Sequence, residues 1–139
     1  MAGPVFHLAI PVDDLVKAEA FYGDLIGCAR GRRSESGIDF DFFGHQLVTH
    51  LAPEECGRAE TNAVDGHDVP VRHFGVVMDP ADWRALADRL EAAGVDFIIE
   101  PKVRFAGQPG EQGTFFLLDP AGNALEFKCF ADMAQLFAT

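Results

Sequence analysis

The sequence predicts an α+β fold made of two copies of one unit, each a strand, a helix and three further strands. Three observations predict it. The runs Phe6-His7-Leu8-Ala9-Ile10-Pro11-Val12 and Arg72-His73-Phe74-Gly75-Val76-Val77-Met78 both set a His at the head of an apolar stretch, and internal repeats are read before other features. Each run leads into acidic residues and an amphipathic pattern: Asp13-Asp14-Leu15 in the first copy, Asp79-Pro80-Ala81-Asp82-Trp83 in the second. Each copy then ends in a pair of short apolar or alternating segments around a turn signal.

In order, residues 5–12 read as a strand covered on at least one face. Asp13 or Asp14 can cap a helix whose stripe is Leu15, Ala18, Tyr22, Leu25 and Ile26, with Gly27 closing it. Residues 28–34 suit a short, charged edge strand. Ile38 to Phe43 alternates with period 2, Gly44-His45 supplies a turn, and Gln46 to Leu51 returns as the hairpin partner. Residues 53–71 are polar and rich in turn formers, a linker between modules 5–52 and 72–130 that is longer than most connections. In the second module, strand 72–78 precedes a helix capped by Asp79 with Pro80 in its first turn. Trp83, Leu86, Ala87, Leu90 and Ala93 form its stripe, and Gly94 ends it. Val95 to Glu100 reads as a strand broken by Pro101, and residues 105–112 as a Gly/Pro loop. Thr114 to Leu118 and Ala124 to Phe130 flank the turn Asp119-Pro120-Ala121-Gly122-Asn123. A short helix over 131–137 finishes the chain.

Composition excludes several classes of function. The chain has 139 residues, 48% of them apolar, enough for one domain with a proper core. The formal charge is −11, which argues against nucleic acid and anionic membrane as partners, because phosphate binding needs clustered cations. Only Arg30-Gly31-Arg32-Arg33 is locally basic, a solvated edge or a counter-charge for an anionic substrate. The N-terminus has no signal-like segment and no window is apolar enough to span a bilayer, so a cytoplasmic location is expected. Three widely spaced Cys, without a CxxC, suggest reduced thiols.

The copies match best at their ends. His7 pairs with His73. Phe40 to His50 aligns with Phe116 to Glu126 in equal length, so His50 pairs with Glu126. Two strand-borne imidazoles and a carboxylate on one face would suit a divalent metal such as iron or manganese with open positions. The plainer alternative for each residue is a satisfied structural His, and for Glu126 a solvent-facing carboxylate beside Lys128. His45 and His67 read as solvated, and Tyr22 as core.

At these residues the chain resembles the vicinal oxygen chelate superfamily, which includes glyoxalase I, extradiol dioxygenases, and fosfomycin and bleomycin resistance proteins. The resemblance runs from about Phe6 to Phe130. It rests on residues 7–15 (HLAIPVDDL), 20–27 (AFYGDLIG), 73–77 (HFGVV) and 116–127 (FLLDPAGNALEF). Residues 38–46 and 107–112 resemble a group of small bacterial extradiol-type dioxygenases. The resemblance implies two βαβββ modules forming a cupped eight-stranded mixed sheet. It implies metal ligands at His7, His73 and Glu126, with His50 as a fourth ligand or an acid/base group. The implied metal is ferrous iron first, with Mn, Ni, Co or Zn as alternatives. It would act as Lewis acid and template for adjacent oxygens of a small catechol-like substrate. His50 moves the proton in a dioxygenase, where dioxygen is the second substrate, and Glu126 in a glyoxalase-type lyase or isomerase. The loop residues Arg104, Gln108 and Glu111 are candidate substrate contacts. A non-enzymatic drug or metabolite binder is the remaining alternative, and a homodimer is expected because each module leaves open sheet edges.

Overall fold

The computed structural model describes residues 3–57, 61–64 and 67–139. Contacts divide the chain into two compact units, Met1–Arg58 with Asp119–Asn123, and Ala59–Leu118 with Ala124–Thr139.

In the first unit β1 (His7–Val12) leads to α1 (Leu15–Ala18). Asp14 caps that helix, its carboxylate accepting from the backbone N–H groups of Val16 and Lys17. The helix then widens over Glu19–Leu25 into π-helical turns, where the Ile26 N–H donates to Phe21 O, five residues back. Gly23 lies within this stretch, and a weak helix former here favours departure from the regular winding. Gly27, at φ 93°, ends the helix in the left-handed region that glycine tolerates.

Next come β2 (Ala29–Arg33), β3 (Gly37–Phe42) and β4 (His45–Leu51), in a sheet of order β1-β4-β3-β2. The β3–β4 turn is Phe43-Gly44, both with positive φ, the tight type whose twist suits a two-residue hairpin. His45 therefore begins β4 rather than sitting in the turn. Ile38, Phe40, Phe42, Leu47 and Thr49 are buried on one face, alongside Phe21 and Tyr22 from the helix. On β2, Arg30 bonds to Glu19 and Asp24, and Arg33 to Glu19. Arg33 and Arg30 hold the Glu19 carboxyl below its ordinary range. Two of the three arginines of the basic edge are thus engaged by neighbouring carboxylates.

The span read as a linker contains a turn of 3₁₀ helix at Pro53–Glu55 and an antiparallel pair, β5 (Thr61–Val64) and β6 (His67–Pro70). Residues 58–60 and 65–66 of it, and the side chain of His67, lie outside the described residues.

In the second unit the expected strand 72–78 is two short pieces, β7 (His73–Phe74) and β8 (Val77–Met78). Gly75 sits at the break, where a Cβ would lie 1.6 Å from Glu126 O, so no other residue fits. The helix α2 (Pro80–Ala92) is capped by Asp79, starts on Pro80, and buries Trp83, Leu86, Ala87 and Leu90. The remaining strands are β9 (Phe97–Arg104), β10 (Gln112–Leu118) and β11 (Ala124–Phe130). Pro101 does not break β9. Among the described residues the strand pairs only with β10, and the register shifts where Glu100 and Pro101 pass Phe115, so proline sits at an edge bulge where no donor is needed. Trp83, Phe115 and Phe127 pack in series with centroids 5.7 and 5.3 Å apart. The Trp83 indole donates to Phe127 O at 3.0 Å, which places α2 on the Phe115 and Phe127 face of the sheet. A 3₁₀ turn at Met133–Gln135 follows β11.

The α+β class and the strand–helix–strand order hold, but the single cupped eight-stranded sheet does not. The hydrogen-bonded ladders are a four-stranded sheet, a five-stranded sheet and the β5–β6 pair. In each module the last strand pairs on one side with its hairpin partner and on the other, in parallel, with the module's own first strand. The backbone groups of that strand are therefore used within its own module. Among the described residues no helix is long and apolar enough to cross a membrane.

Candidate metal centre

Strand β11 lies between β10 and the β7/β8 pieces. Alternation sends Leu125, Phe127 and Cys129 toward α2, and Glu126 and Lys128 to the other face. The two oxygens of Glu126 have different neighbours. Oε2 accepts from the Thr114 hydroxyl at 2.6 Å, and Oε1 lies 3.5 Å from His73 Nε2. The opposite nitrogen of that ring, Nδ1, is 2.9 Å from Pro70 O. A carbonyl can only accept, so Nδ1 carries a proton, and in the neutral tautomer Nε2 turns a lone pair toward the carboxylate. Two acceptors then face each other across a gap beyond the usual N–H···O range. A second proton or a cation between them satisfies the pair.

The pair fits a metal. Donors bound to one ion at about 2.0–2.2 Å stand about 3.0–3.4 Å apart at octahedral or tetrahedral angles, close to the separation seen. A ligating His ordinarily gives its other N–H to a carbonyl or carboxylate, as His73 does to Pro70. The ring also packs edge-on against Phe116, centroids 4.8 Å apart, which fixes its plane.

The first unit presents a second preset imidazole. His7 Nδ1 lies 2.7 Å from Gln46 Oε1, and Gln46 Nε2 donates to Asp39 Oδ2 at 3.2 Å. Because the carboxylate accepts, the amide orientation is settled, and the His7 Nδ1–H donates to Gln46. Its Nε2 is the open position. Neither Gln46, Asp39 nor Thr114 stands out in the sequence, because their roles follow from which residues face each other across strands.

The expected ligands are divided between the two units. His73 and Glu126 meet within the second unit, whereas His7 belongs to the first, and among the described residues no three His, Cys, Asp or Glu side chains form a metal-holding group. His50 is exposed on β4, opposite Pro11. It shares the face of His7 but lies four residues along the ladder, about 13 Å. Within its module it does not occupy the position of Glu126. His7 pairs with Gln46 and His73 with Ala124, so two residues further on the counterpart of Glu126 is Val48.

The loop candidates separate as well. Arg104 ends β9 with its guanidinium 5.3 Å from the Phe105 ring centroid. Gln108 is exposed and makes turn bonds through its backbone, while the Glu111 carboxylate accepts from the Gly107 N–H at 2.8 Å, bracing the loop itself. Two other readings change or sharpen. His45 is not merely solvated: its Nδ1 accepts from the Phe6 N–H at 3.1 Å. Tyr22 is fully buried and donates to Asp119 Oδ2 at 2.6 Å. Asp119 also receives the backbone N–H groups of Ala121 and Asn123 and the Asn123 amide, so its carboxylate organises the whole turn. All three cysteines are free thiols. Burial, then the Asp41 charge, pushes the Cys28 thiol up to about 12.

Comparison with known proteins bears on what such a site serves. The chain is 37% identical to a glyoxalase/bleomycin resistance protein/dioxygenase from Alicyclobacillus acidocaldarius, with 99% of this chain and all of that one covered and a TM-score of 0.79. It is 27% identical over 132 residues to the glutathione transferase FosA of Serratia marcescens, covering 95% of this chain and 84% of that protein. A lactoylglutathione lyase from Agrobacterium tumefaciens shares the fold at a TM-score of 0.66 and 23% identity, over 99% and 98% of the two chains. Residues 5–127 match the family model itself, and the chain belongs to the Glyoxalase/Bleomycin resistance protein/Dioxygenase superfamily.

Proposed function

We propose that this protein is a metal-dependent enzyme acting on a small substrate with two adjacent oxygens, and that extradiol-type dioxygenation of a catechol-like molecule is its reaction. The observation that supports the metal is the His73 Nε2–Glu126 Oε1 pair, two acceptors 3.5 Å apart with the far side of each group already bonded. We assign His73, Glu126 and His7 as the ligands, His7 because its ring has the same preset, Nδ1 bonded and Nε2 open. Ferrous iron is the first metal to test, with Mn, Ni, Co and Zn behind it. When bound, it supplies Lewis acidity to the adjacent substrate oxygens.

The chain's own groups do the rest. Pro70 O and Gln46 fix the imidazole tautomers. Thr114 holds Glu126 by one oxygen and leaves the other for the metal. Phe116, edge-on to His73, walls the site with apolar surface and excludes water on that side. His50 is the proton carrier of the dioxygenase reading, and Glu126 that of the lyase reading. The likeness to a glutathione transferase and the fold shared with a lactoylglutathione lyase favour oxygen-independent chemistry as the second reading. A homodimer of this chain, placed in the cytoplasm, is the working assembly.

Protein prepared anaerobically is assayed for metal, with His73→Ala beside it. The wild type should hold one divalent ion and the variant little. Equal metal in both removes His73 as a ligand. Catechol cleavage in air but not under nitrogen supports the dioxygenase; turnover of a thiol adduct without oxygen supports the lyase or transferase.

A further inference from the structure

The α2 side of the second sheet, across the strands from the His73–Glu126 pair, holds a cavity of about 140 Å³. Val103, Gly113 and Cys129 stand opposite one another on β9, β10 and β11. With Pro80 and the edge of the Trp83 indole they make its apolar lining. Gly113 lets the ring and the thiol close over the strand: a Cβ there would lie 2.9 Å from Trp83 and 2.8 Å from Cys129 Sγ. Burial holds the Cys129 thiol above its ordinary value, so it presents a neutral, weakly polar surface. An apolar cavity of about 150 Å³ takes up benzene, so this one has room for a phenyl ring or a branched alkyl group.

Two opposite charges line the same cavity and do not pair. Arg84 forms no ion pair among the described residues, and its guanidinium lies over the Trp83 ring, 4.9 Å from the centroid. Glu111 uses one oxygen to accept from the Gly107 N–H at 2.8 Å, and the other has no partner among the described residues. Both charges act on the Cys129 thiol, Arg84 lowering its pKa and Glu111 raising it. They therefore stand around one point without meeting. A molecule that brings a carboxylate to Arg84 and an ammonium to Glu111 makes a charge-assisted bond with each. In an α-amino acid those two charges and the side chain leave a single carbon, so one small molecule answers the cation, the anion and the apolar lining together.

We propose that this cavity binds an α-amino acid with an apolar side chain: the side chain against Trp83, Gly113 and Cys129, the carboxylate on Arg84 and the ammonium on Glu111. It is a second ligand site, on the opposite face of the sheet from the metal centre, and it needs no metal.

The full chain is titrated calorimetrically with L-phenylalanine, 2-phenylethylamine and 3-phenylpropionate, which share the ring and differ in the charges they carry. Wild type should bind the amino acid about tenfold more tightly than either of the others, the worth of one charge-assisted contact at an open rim. Glu111→Gln, which keeps an oxygen for Gly107, should bind phenylpropionate as wild type does and lose the tenfold gain for phenylalanine. Arg84→Gln should bind phenylethylamine as wild type does and lose the same gain. Trp83 is the chain's single Trp, so its indole N–H resonance should shift on titration and place the ligand in this cavity. Urea midpoints of both variants should match wild type, since both residues sit at the rim. His73→Ala should bind phenylalanine unchanged; loss of binding there puts the ligand on the metal and overturns the proposal. Equal binding of the three probes, a gain that survives in both variants, or an indole resonance that does not move overturns it as well.

Discussion

Replacing Thr114 by Val keeps the shape of a 6% exposed side chain and removes the hydroxyl that holds Glu126 Oε2 at 2.6 Å. Two effects follow, and they separate. Without metal, a half-buried carboxylate loses a charge-assisted bond, which costs about 1–2 kcal/mol of stability after allowance for water reaching a group 19% exposed. With metal, Glu126 must be fixed on binding rather than beforehand, and freezing a Glu side chain costs about 1.5–2 kcal/mol. That is about a 10- to 30-fold loss of metal affinity, within the range found for residues that orient ligands. The assay is competition for Mn(II) against a fluorescent chelator, beside urea unfolding of the metal-free protein. Thr114→Ser should restore affinity. A Val variant that is less stable yet binds metal with wild-type affinity would refute the reasoning, because Thr114 would then support the fold and not the ligand.

Gln46→Leu removes the acceptor of His7 Nδ1–H and should weaken metal binding by about 10- to 100-fold in the same competition assay; unchanged affinity removes Gln46 from any orienting role. At the β3–β4 turn, Phe43 has φ 54°. Phe43→Asn should be more stable than Phe43→Val by about 1–2 kcal/mol in urea unfolding, since a β-branched residue is strained there and Asn is not; the reverse order would contradict the turn geometry. Cys28, pushed up to about 12 from an ordinary thiol value of 9.0, should resist thiol reagents at pH 8 until the protein unfolds. Because its folded value is the higher one, its share of stability is intact below about pH 9 and falls away as pH rises toward 12. Burial and the neighbouring Asp119 raise Tyr22 as well, so Cys28→Ala is the control: its unfolding midpoint should fall less steeply between pH 9 and pH 11.

The elements set by local chemistry were legible from residue types. Asp14, Asp79, Pro80, Gly27 and Gly94 mark helix ends by capping, ring closure or positive φ, all of which act within a few residues. The span Ala124–Phe130 was readable because an apolar, alternating run follows directly on a strong turn signal. Long-range pairing was not readable. Pro101 looks like a breaker until β9 is known to be an edge. The hairpins match in length, which aligned His50 with Glu126. However, the first turns in two residues and the second in five, closed by Asp119, so the ladders pair Phe40 with Leu47 and Phe116 with Glu126. For the same reason the Asp39–Gln46–His7 relay cannot be seen along the chain, because it exists only across strands. Composition likewise could not show that Arg30 and Arg33 are occupied by Glu19 and Asp24.

Glycines that lack room differ in how they lack it. A side chain on Gly23 would press on the Arg30 guanidinium, the end of a flexible arm that can swing aside. At Gly75 the obstacle is the carbonyl of Glu126, main chain to main chain. No rotamer change elsewhere can relieve it, so in a saturation library carried through selection for metal uptake, codon 75 should return as a blank column while codon 23 tolerates small residues.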